Sequence, residues 1–210
     1  MARKIVVVPF NNDWARLYDI EKEILIKIFG NLILDIQHFG STSIIGMSAK
    51  PTIDVMIVVD TIEAVDAYNE EMIAQGFSIR GESGIPGRRF FVRLKGDGEN
   101  HATHVHIYEK GNFHIYDELM FRDFLALDRE SFEKYEKIKV EAADKFKYSP
   151  DEYVEAKSNC VMEIMEKAKR YYSEKSHYNE RSRTQHGIWV TKCGELDIGV
   201  NCVDTPRCEH

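Results

Sequence analysis

A glycine-serine turn within residues 38–59 offers the clearest chemistry in the chain. Gly40 has no Cβ, so the backbone there can approach a ligand closely. Ser41, Thr42 and Ser43 follow it and supply hydroxyl and amide donors, which suit phosphate oxygens. The turn therefore predicts a phosphate-binding loop built on Gly40, Ser41 and Thr42.

Asp54 is the second candidate, because it interrupts an apolar run at residues 53–59 whose β-branched side chains predict a strand. An ionised carboxylate in such a run needs a metal, a cation or an exposed strand end as its partner. Residues two apart on a strand share a face, so Asp54 and position 56 should point together, and position 56 is Met56. Asp54 is therefore either a catalytic residue and metal ligand or a structural residue.

His104 and His106 lie two apart in another predicted strand and share one face. Two imidazoles at this spacing can bind one metal, or a phosphate when they are protonated. If their strand adjoins that of Asp54, the three side chains form an Asp-His-His set for a divalent metal, Mg²⁺ or Mn²⁺. The alternative is a solvated or hydrogen-bonded strand face.

Two further side chains flank the turn and the Asp54 strand. Lys50 precedes the rigid Pro51 where that strand begins, a position that suits a cation facing an anionic ligand. A solvated loop lysine is the alternative interpretation. His38, at the end of the preceding strand, is a candidate for orienting the Gly-Ser turn.

Hydrophobic periodicity predicts an α+β order, with a sheet segment followed by a helical segment. We expect residues 1–112 to form the sheet segment, residues 113–175 to complete the same domain, and residues 176–210 to form a tail with a weak hairpin. The predicted strands cover residues 4–8, 32–38, 52–59, 77–80, 89–94 and 103–108. The predicted helices cover residues 14–28 with Gly30 as the stop, 62–75 with a cap at Thr61, 114–127, 130–146 and 151–175.

The ordered set of motifs resembles the nucleotidyltransferase superfamily, whose members place Gly-Ser at a strand-to-helix turn before an acidic strand. More closely, residues 5–172 resemble the GrpB family. The matching residues are His38-Phe39-Gly40-Ser41-Thr42-Ser43, Gly46, Ala49-Lys50-Pro51, Ile53-Asp54, His104-x-His106, Phe121-Arg122-Asp123, Tyr135-x-x-x-Lys139 and Tyr153-x-x-x-Lys157.

This resemblance implies a mixed sheet with flanking helices and a cleft for a nucleotide or other phosphorylated small molecule. If the protein is an enzyme, the resemblance implies nucleotidyl transfer, with Asp54 as metal ligand. Arg122, Lys139 and Lys157 of the helical segment would then close the cleft around the ligand. A non-catalytic accessory or ligand-sensing module is the competing interpretation, since Met56 replaces the usual second carboxylate.

Simpler roles remain open for the helical residues. Arg122 can pair with Glu118 four residues earlier, a contact worth only ~0.2–0.5 kcal/mol on a helix surface. Lys139 and Lys157 each follow a tyrosine by four residues, so their stems can simply pack on the ring.

Composition narrows the class of protein. The 210 residues carry a net charge of −7 with a pI near 5.7, which argues against general nucleic-acid binding. No apolar run is long enough for a membrane span, so we expect a cytoplasmic protein. Cys160 falls in a predicted helix, whereas Cys193, Cys202 and Cys208 lie in the tail without the paired spacing of a zinc knuckle. The sequence does not define an oligomeric state.

Overall fold

A computed structural model describes residues 4–98 and 100–174 and shows one five-stranded mixed sheet. The spatial order is β1-β2-β5-β4-β3, in which β2 and β5 are parallel and every other neighbouring pair is antiparallel. The predicted α+β class is confirmed. The strands are β1 (Ile33–Phe39), β2 (Ile53–Val59), β3 (Phe77–Ile79), β4 (Arg88–Leu94) and β5 (His101–Glu109).

The helices begin and end where local residues favour it. The first ends at Gly30, which has a left-handed φ of 49° that only glycine adopts readily. The third and fourth begin at Asn112 and Asp128, whose side chains accept backbone N–H groups of the first turn. The helices are α1 (Asp13–Phe29), α2 (Asn69–Ala74), α3 (Phe113–Leu127), α4 (Arg129–Lys145) and α5 (Pro150–Glu174).

Helices cover both faces of the sheet. On one face, Val55 and Ile57 of β2 pack in a core with Trp14 and Leu25 of α1. On the other face, Met56 packs with Tyr108 of β5 and with Ile115 and Leu119 of α3, while α4 and α5 enclose a further core beside α3. Met56 is fully buried, and burial of such a side chain contributes roughly 1.5–3 kcal/mol. The position that a second carboxylate would occupy is therefore part of the core.

Two predicted elements differ from the structure. The predicted strand over residues 4–8 is wrong, because the segment makes a single bridge between Val8 and Ala49. Ile5 instead donates its N–H to Lys147 O and packs against α4 and α5, so the apolar run pairs with helices rather than with a sheet edge. The predicted helix over residues 62–75 is a 3-10 helix, Ile62–Tyr68, followed by α2.

The remaining predictions concern Cys160, the tail at residues 176–210 and membrane spans. Cys160 lies in a helix, α5, as predicted, and it is buried there. The predicted hairpin and the cysteines of residues 176–210 lie outside the described residues. Among the helices that are described, none combines the length and apolar character needed to cross a bilayer.

Candidate functional site

Three strands meet at the end of the sheet that carries the predicted site. Because β1 is antiparallel and β5 parallel to β2, the end of β1, the start of β2 and the first half of β5 lie together. Phe39 pairs with Asp54, and Asp54 pairs with His104. The predicted adjacency of the Asp54 and histidine strands is confirmed, and one ligand atom from each of Asp54, His104 and His106 lies within 4.8 Å of the others.

The Gly-Ser turn is a compact, internally bonded loop. Gly40 has φ +68°, and its carbonyl accepts the N–H of Ser43 at 3.2 Å and the Ser43 hydroxyl at 2.7 Å. The Thr42 hydroxyl donates to Thr52 O at 3.3 Å, so it accepts from His38 Nε2, 3.0 Å away. Burial lowers the pKa of His38 to about 4, which keeps this imidazole neutral. His38 therefore orients the turn, as its position in the sequence predicts.

Asp54 faces the turn from the start of β2. Burial favours its protonated form, but the hydrogen bond that His104 donates and the nearby charge of Lys50 together hold the pKa of Asp54 below the usual value. The contact joins Asp54 Oδ1 to His104 Nδ1 at 3.0 Å. Asp54 is therefore an ionised carboxylate at neutral pH, half-buried beside the Gly-Ser turn.

His104 connects Asp54 to a third histidine. Its Nε2 lies 2.6 Å from Nδ1 of His101, so both imidazole nitrogens of His104 are hydrogen-bonded. Residues three apart on a regular strand face opposite ways, but β5 has a bulge here, where Ala102 has no partner between the Arg93–Thr103 and Leu94–His101 pairs. The bulge accounts for the contact between His101 and His104.

His106 lies deeper than His104. Burial lowers its pKa to about 3, so the imidazole is neutral. Arg88 Nη1 lies 3.3 Å from His106 Nδ1, and arginine can only donate, so this nitrogen accepts and Nε2 carries the proton. Among the residues that the structure describes, none is a hydrogen-bond partner of this buried Nε2. Metal binding by the full set would require His106 to separate from Arg88 and His104 to release one of its partners.

Helices α4 and α5 form the opposite wall of the site. Tyr135 and Lys139 lie one turn apart on the same face of α4. Tyr153 and Lys157 lie one turn apart on the same face of α5. With the turn and β2 they enclose a cleft of about 200 Å³. The residues that line this cleft are Gly40, Ser41, Thr42, Lys50, Thr52, Asp54, His104, Tyr135, Lys139, Tyr153 and Lys157.

The lysines of the cleft are held in low-dielectric surroundings. Lys139 Nζ donates to Ser48 O at 2.6 Å and lies 4.7 Å from the centre of the Tyr135 ring. Burial, followed by the charge of Lys157, lowers the pKa of Lys139 to about 7. Burial and then Lys50 lower the pKa of Lys157 to about 8. Within the described part of the chain, Lys157 makes no hydrogen bond or ion pair and lies 4.4 Å above the Tyr153 ring. The cleft therefore contains ammonium groups whose charge is only partly balanced.

Arg122 does not line the cleft. Its Nη1 donates to His38 O at 2.8 Å and its Nε to Asp123 Oδ1 at 2.7 Å. The alternative pairing with Glu118 does not form, since Glu118 accepts the Tyr108 hydroxyl. Arg122 thus fixes the end of β1 against α3, and its predicted contact with a ligand stays a prediction.

The structure brings together most of the predicted ligand-binding set, and it adds residues that the sequence did not assign. Lys50, Lys139 and Lys157 come from three separate segments and reach one cavity. Thr52 and His101 had no motif to mark them. Tyr135 and Tyr153 were marked only by the repeated Tyr-x-x-x-Lys spacing, which is the signal that could have placed both rings in the same wall.

The mixed sheet, its helical layer and the cleft at the strand ends define a small α+β protein with a cavity beside the Gly-Ser turn. Residues 4–167 match the family described as GrpB protein. The crystal structure of conserved protein GrpB from Enterococcus faecalis is similar, at 31% identity and a TM-score of 0.74, over 80% of this chain and 99% of that one. The chain therefore belongs to the GrpB family, as predicted.

Two further similarities extend this result. UPF0157 protein YqkA of Bacillus subtilis is 39% identical over 177 residues, which are 84% of this chain and 51% of that protein. The chain thus spans about half the length of this relative. The crystal structure of the Cid1 poly(U) polymerase is similar at 13% identity and a TM-score of 0.38, over 63% of this chain and 44% of that one.

Proposed function

We propose that the chain binds a nucleotide or another phosphorylated small molecule in the cleft between the sheet and helices α4 and α5. The observation that carries this proposal is the convergence of Lys50, Lys139 and Lys157 on one cavity beside the Gly-Ser turn. Among the described residues, Asp54 is the one acidic side chain in the lining. A cation-rich cavity in a chain of net charge −7 suits an anion such as a phosphate group.

The electrostatics of the lysines support the same conclusion. Burying an ammonium group without a charged partner costs free energy, and the lowered pKa values of Lys139 and Lys157 express that cost. A bound phosphate would supply the missing counter-charge and accept hydrogen bonds from both ammonium groups. Ligand binding would then stabilise the folded chain, because the ligand binds the native state alone.

A divalent cation belongs to this proposal, with Asp54 as its anchor and His104 or His106 as the second ligand. The carboxylate is ionised and borders the cleft, and within the described residues Nε2 of His106 is buried without a hydrogen-bond partner, so it could bind a metal once its proton moves to Nδ1. Imidazole ligands favour Mn²⁺ or Zn²⁺ over Mg²⁺, which prefers oxygen. The hydrogen bonds of His104 and His106 compete with metal binding, so we expect modest affinity.

A non-catalytic, ligand-sensing module is the second candidate, and Met56 favours it. Nucleotidyl transfer with two metal ions uses several carboxylates to hold them. Met56 is fully buried in the core, and the described lining of the cleft contributes one carboxylate. Binding of a phosphorylated ligand needs only the turn and the lysines, whereas transfer needs a source of metal ligands beyond Asp54.

Calorimetric titration with inorganic phosphate, AMP and ATP, with and without Mn²⁺ or Mg²⁺, tests the proposal. We expect binding in the millimolar range or tighter. Lys157→Met should weaken it by about tenfold or more, the effect of losing one charge-assisted hydrogen bond of ~1.5–3 kcal/mol. Lys137→Met is the matched control, because Lys137 is an exposed lysine of α4 paired with Glu141. Absence of binding by the folded wild-type chain would overturn the proposal.

Turnover separates the two candidates. The wild-type chain is incubated with each nucleoside triphosphate, Mn²⁺ and a panel of hydroxyl acceptors, to which the nucleotidyl group would pass, and released pyrophosphate is measured. Release that disappears in Asp54→Asn supports transfer. Binding without release supports the sensing module.

A further inference from the structure

A second cavity of about 220 Å³ adjoins the cleft and shares Lys50 and Thr52 with it. Its lining also includes Lys4, Lys95 and His101, and none of the described residues in the lining is acidic. Three lysines around one cavity give a positive potential that attracts an anion. This cavity therefore has the same chemical character as the cleft, although no motif of the sequence marks it.

Hydrogen-bonded residues lie along the border that the two cavities share. The Thr52 hydroxyl donates to His101 O at 3.1 Å, and His101 Nδ1 lies 2.6 Å from Nε2 of His104, which lines the cleft. The backbone of Lys95 is held beside the second cavity, because its N–H donates to Asn100 O at 2.6 Å across the turn between β4 and β5. Small-molecule sites usually measure ~300–1,000 Å³, which neither cavity reaches alone and both reach together.

We propose that the second cavity is an additional anion subsite of the same ligand site, so that the natural ligand carries two separated phosphate groups. The ligand class is that of bisphosphorylated sugars or nucleosides. One phosphate lies in the cleft beside the Gly-Ser turn, and the other lies between Lys95, Lys4 and His101. Lys50, which borders both cavities, contributes to both. This inference rests on the proposed function, because it requires phosphate binding in the cleft.

The inference is tested by calorimetry with two matched pairs of probes, fructose bisphosphate against fructose monophosphate and bisphosphoglycerate against phosphoglycerate. For at least one pair, the bisphosphate should bind about tenfold or more tightly than its partner, as expected for added charge-assisted hydrogen bonds. Lys95→Ala should reduce this advantage to within about twofold and leave monophosphate affinity unchanged. Lys95→Gln gives a second variant that keeps much of the side-chain length, and Lys137→Ala is the exposed control.

The outcomes distinguish the two proposals. If these probes, inorganic phosphate, AMP and ATP all fail to bind the folded chain, the proposed function fails. If only inorganic phosphate, AMP or ATP binds, the second subsite is overturned while the proposed function stands. If monophosphates bind but both bisphosphates bind no better, the second subsite is overturned while the proposed function stands. An advantage that survives both Lys95 variants also overturns the subsite.

Discussion

A Cβ atom added at Gly40 would lie 2.5 Å from Oδ2 of Asp54, so the turn and the carboxylate fit each other only while residue 40 is glycine. The left-handed φ of +68° at Gly40 imposes a second, independent preference for glycine. The Gly-Ser turn and the Asp54 strand therefore form one steric unit, although Asp54 comes 13 residues after Ser41.

Gly40→Ala should consequently destabilise the chain more than an ordinary change at a left-handed glycine. The backbone conformation alone costs ~1–2 kcal/mol, and the contact with Asp54 adds to it. Gly81→Ala is the control, since Gly81 has φ +57° and open space around its Cβ position. Urea unfolding measures both. Equal losses of unfolding free energy in Gly40→Ala and Gly81→Ala would contradict the steric coupling. When Asp54→Ala is added, the excess loss at position 40 should become smaller.

Anion affinity should fall as the pH rises, because Lys139 and Lys157 lose their protons near pH 7 and pH 8 respectively. A bound anion favours the protonated lysines, so binding takes up protons between about pH 7 and pH 9. Affinity then falls by up to about tenfold per pH unit for each proton taken up. Sulfate is the suitable probe, since its own charge is constant in this range.

Calorimetry in two buffers with different ionisation enthalpies measures the uptake directly. At about pH 8 the observed heat of sulfate binding should depend on the buffer, and Lys139→Met should reduce that dependence. Heats that are the same in both buffers would show that the lysines keep their protons throughout. The lowered pKa values would then not govern binding.

The local parts of this architecture could be predicted from the sequence. The β-branched run of β2 and the stop at Gly30 depend on neighbours in the chain, and both are confirmed. The apolar run at residues 4–8 could not be resolved in the same way. Its hydrophobicity shows that Ile5 must be buried, but not that Tyr153 and α4 would bury it instead of the sheet.

In the candidate site, too, the sequence predicts the features that depend on neighbouring residues but not those that depend on distant contacts. Gly40, Ser41 and Asp54 are close in sequence, and their residue types indicate phosphate and metal binding. His101 was missed because a regular strand would turn it away from His104, and no residue type at Ala102 reveals the bulge that reverses this. Such features arise from pairing between distant strands, which one sequence does not display.

Arg122→Met should lower the free energy of unfolding by about 3 kcal/mol, because it leaves the buried Asp123 carboxylate without its arginine and frees the carbonyl of His38. The double variant with Asp123→Asn should recover part of this loss. Phosphate affinity of the folded protein should stay within about twofold of wild type, since Arg122 lies outside the described lining of the cleft. A large loss of affinity at unchanged stability would instead support the ligand contact predicted from the sequence.

Asp54→Asn should abolish Mn²⁺ binding at little cost in stability. Asparagine keeps an oxygen that can accept from His104 Nδ1 but removes the charge that would anchor a cation. Because the pKa of Asp54 is lowered on folding, the stabilisation from its charge is present above about pH 3.9 and disappears as the pH falls through the folded-state pKa. The difference in unfolding free energy between wild type and Asp54→Asn should shrink over that acidic range.

Titration with Mn²⁺, alongside melting temperatures at neutral pH, checks this expectation. Asp66→Asn is the matched control, because Asp66 pairs with Arg89 on the surface and lies outside the cleft. A loss of Mn²⁺ affinity of about tenfold or more in Asp54→Asn alone would assign the carboxylate to function. If Mn²⁺ and phosphate affinities persist while the melting temperature falls, Asp54 is structural. Nucleotidyl transfer should then be abandoned in favour of the ligand-sensing module, whose phosphate contacts come from the turn and the lysines alone.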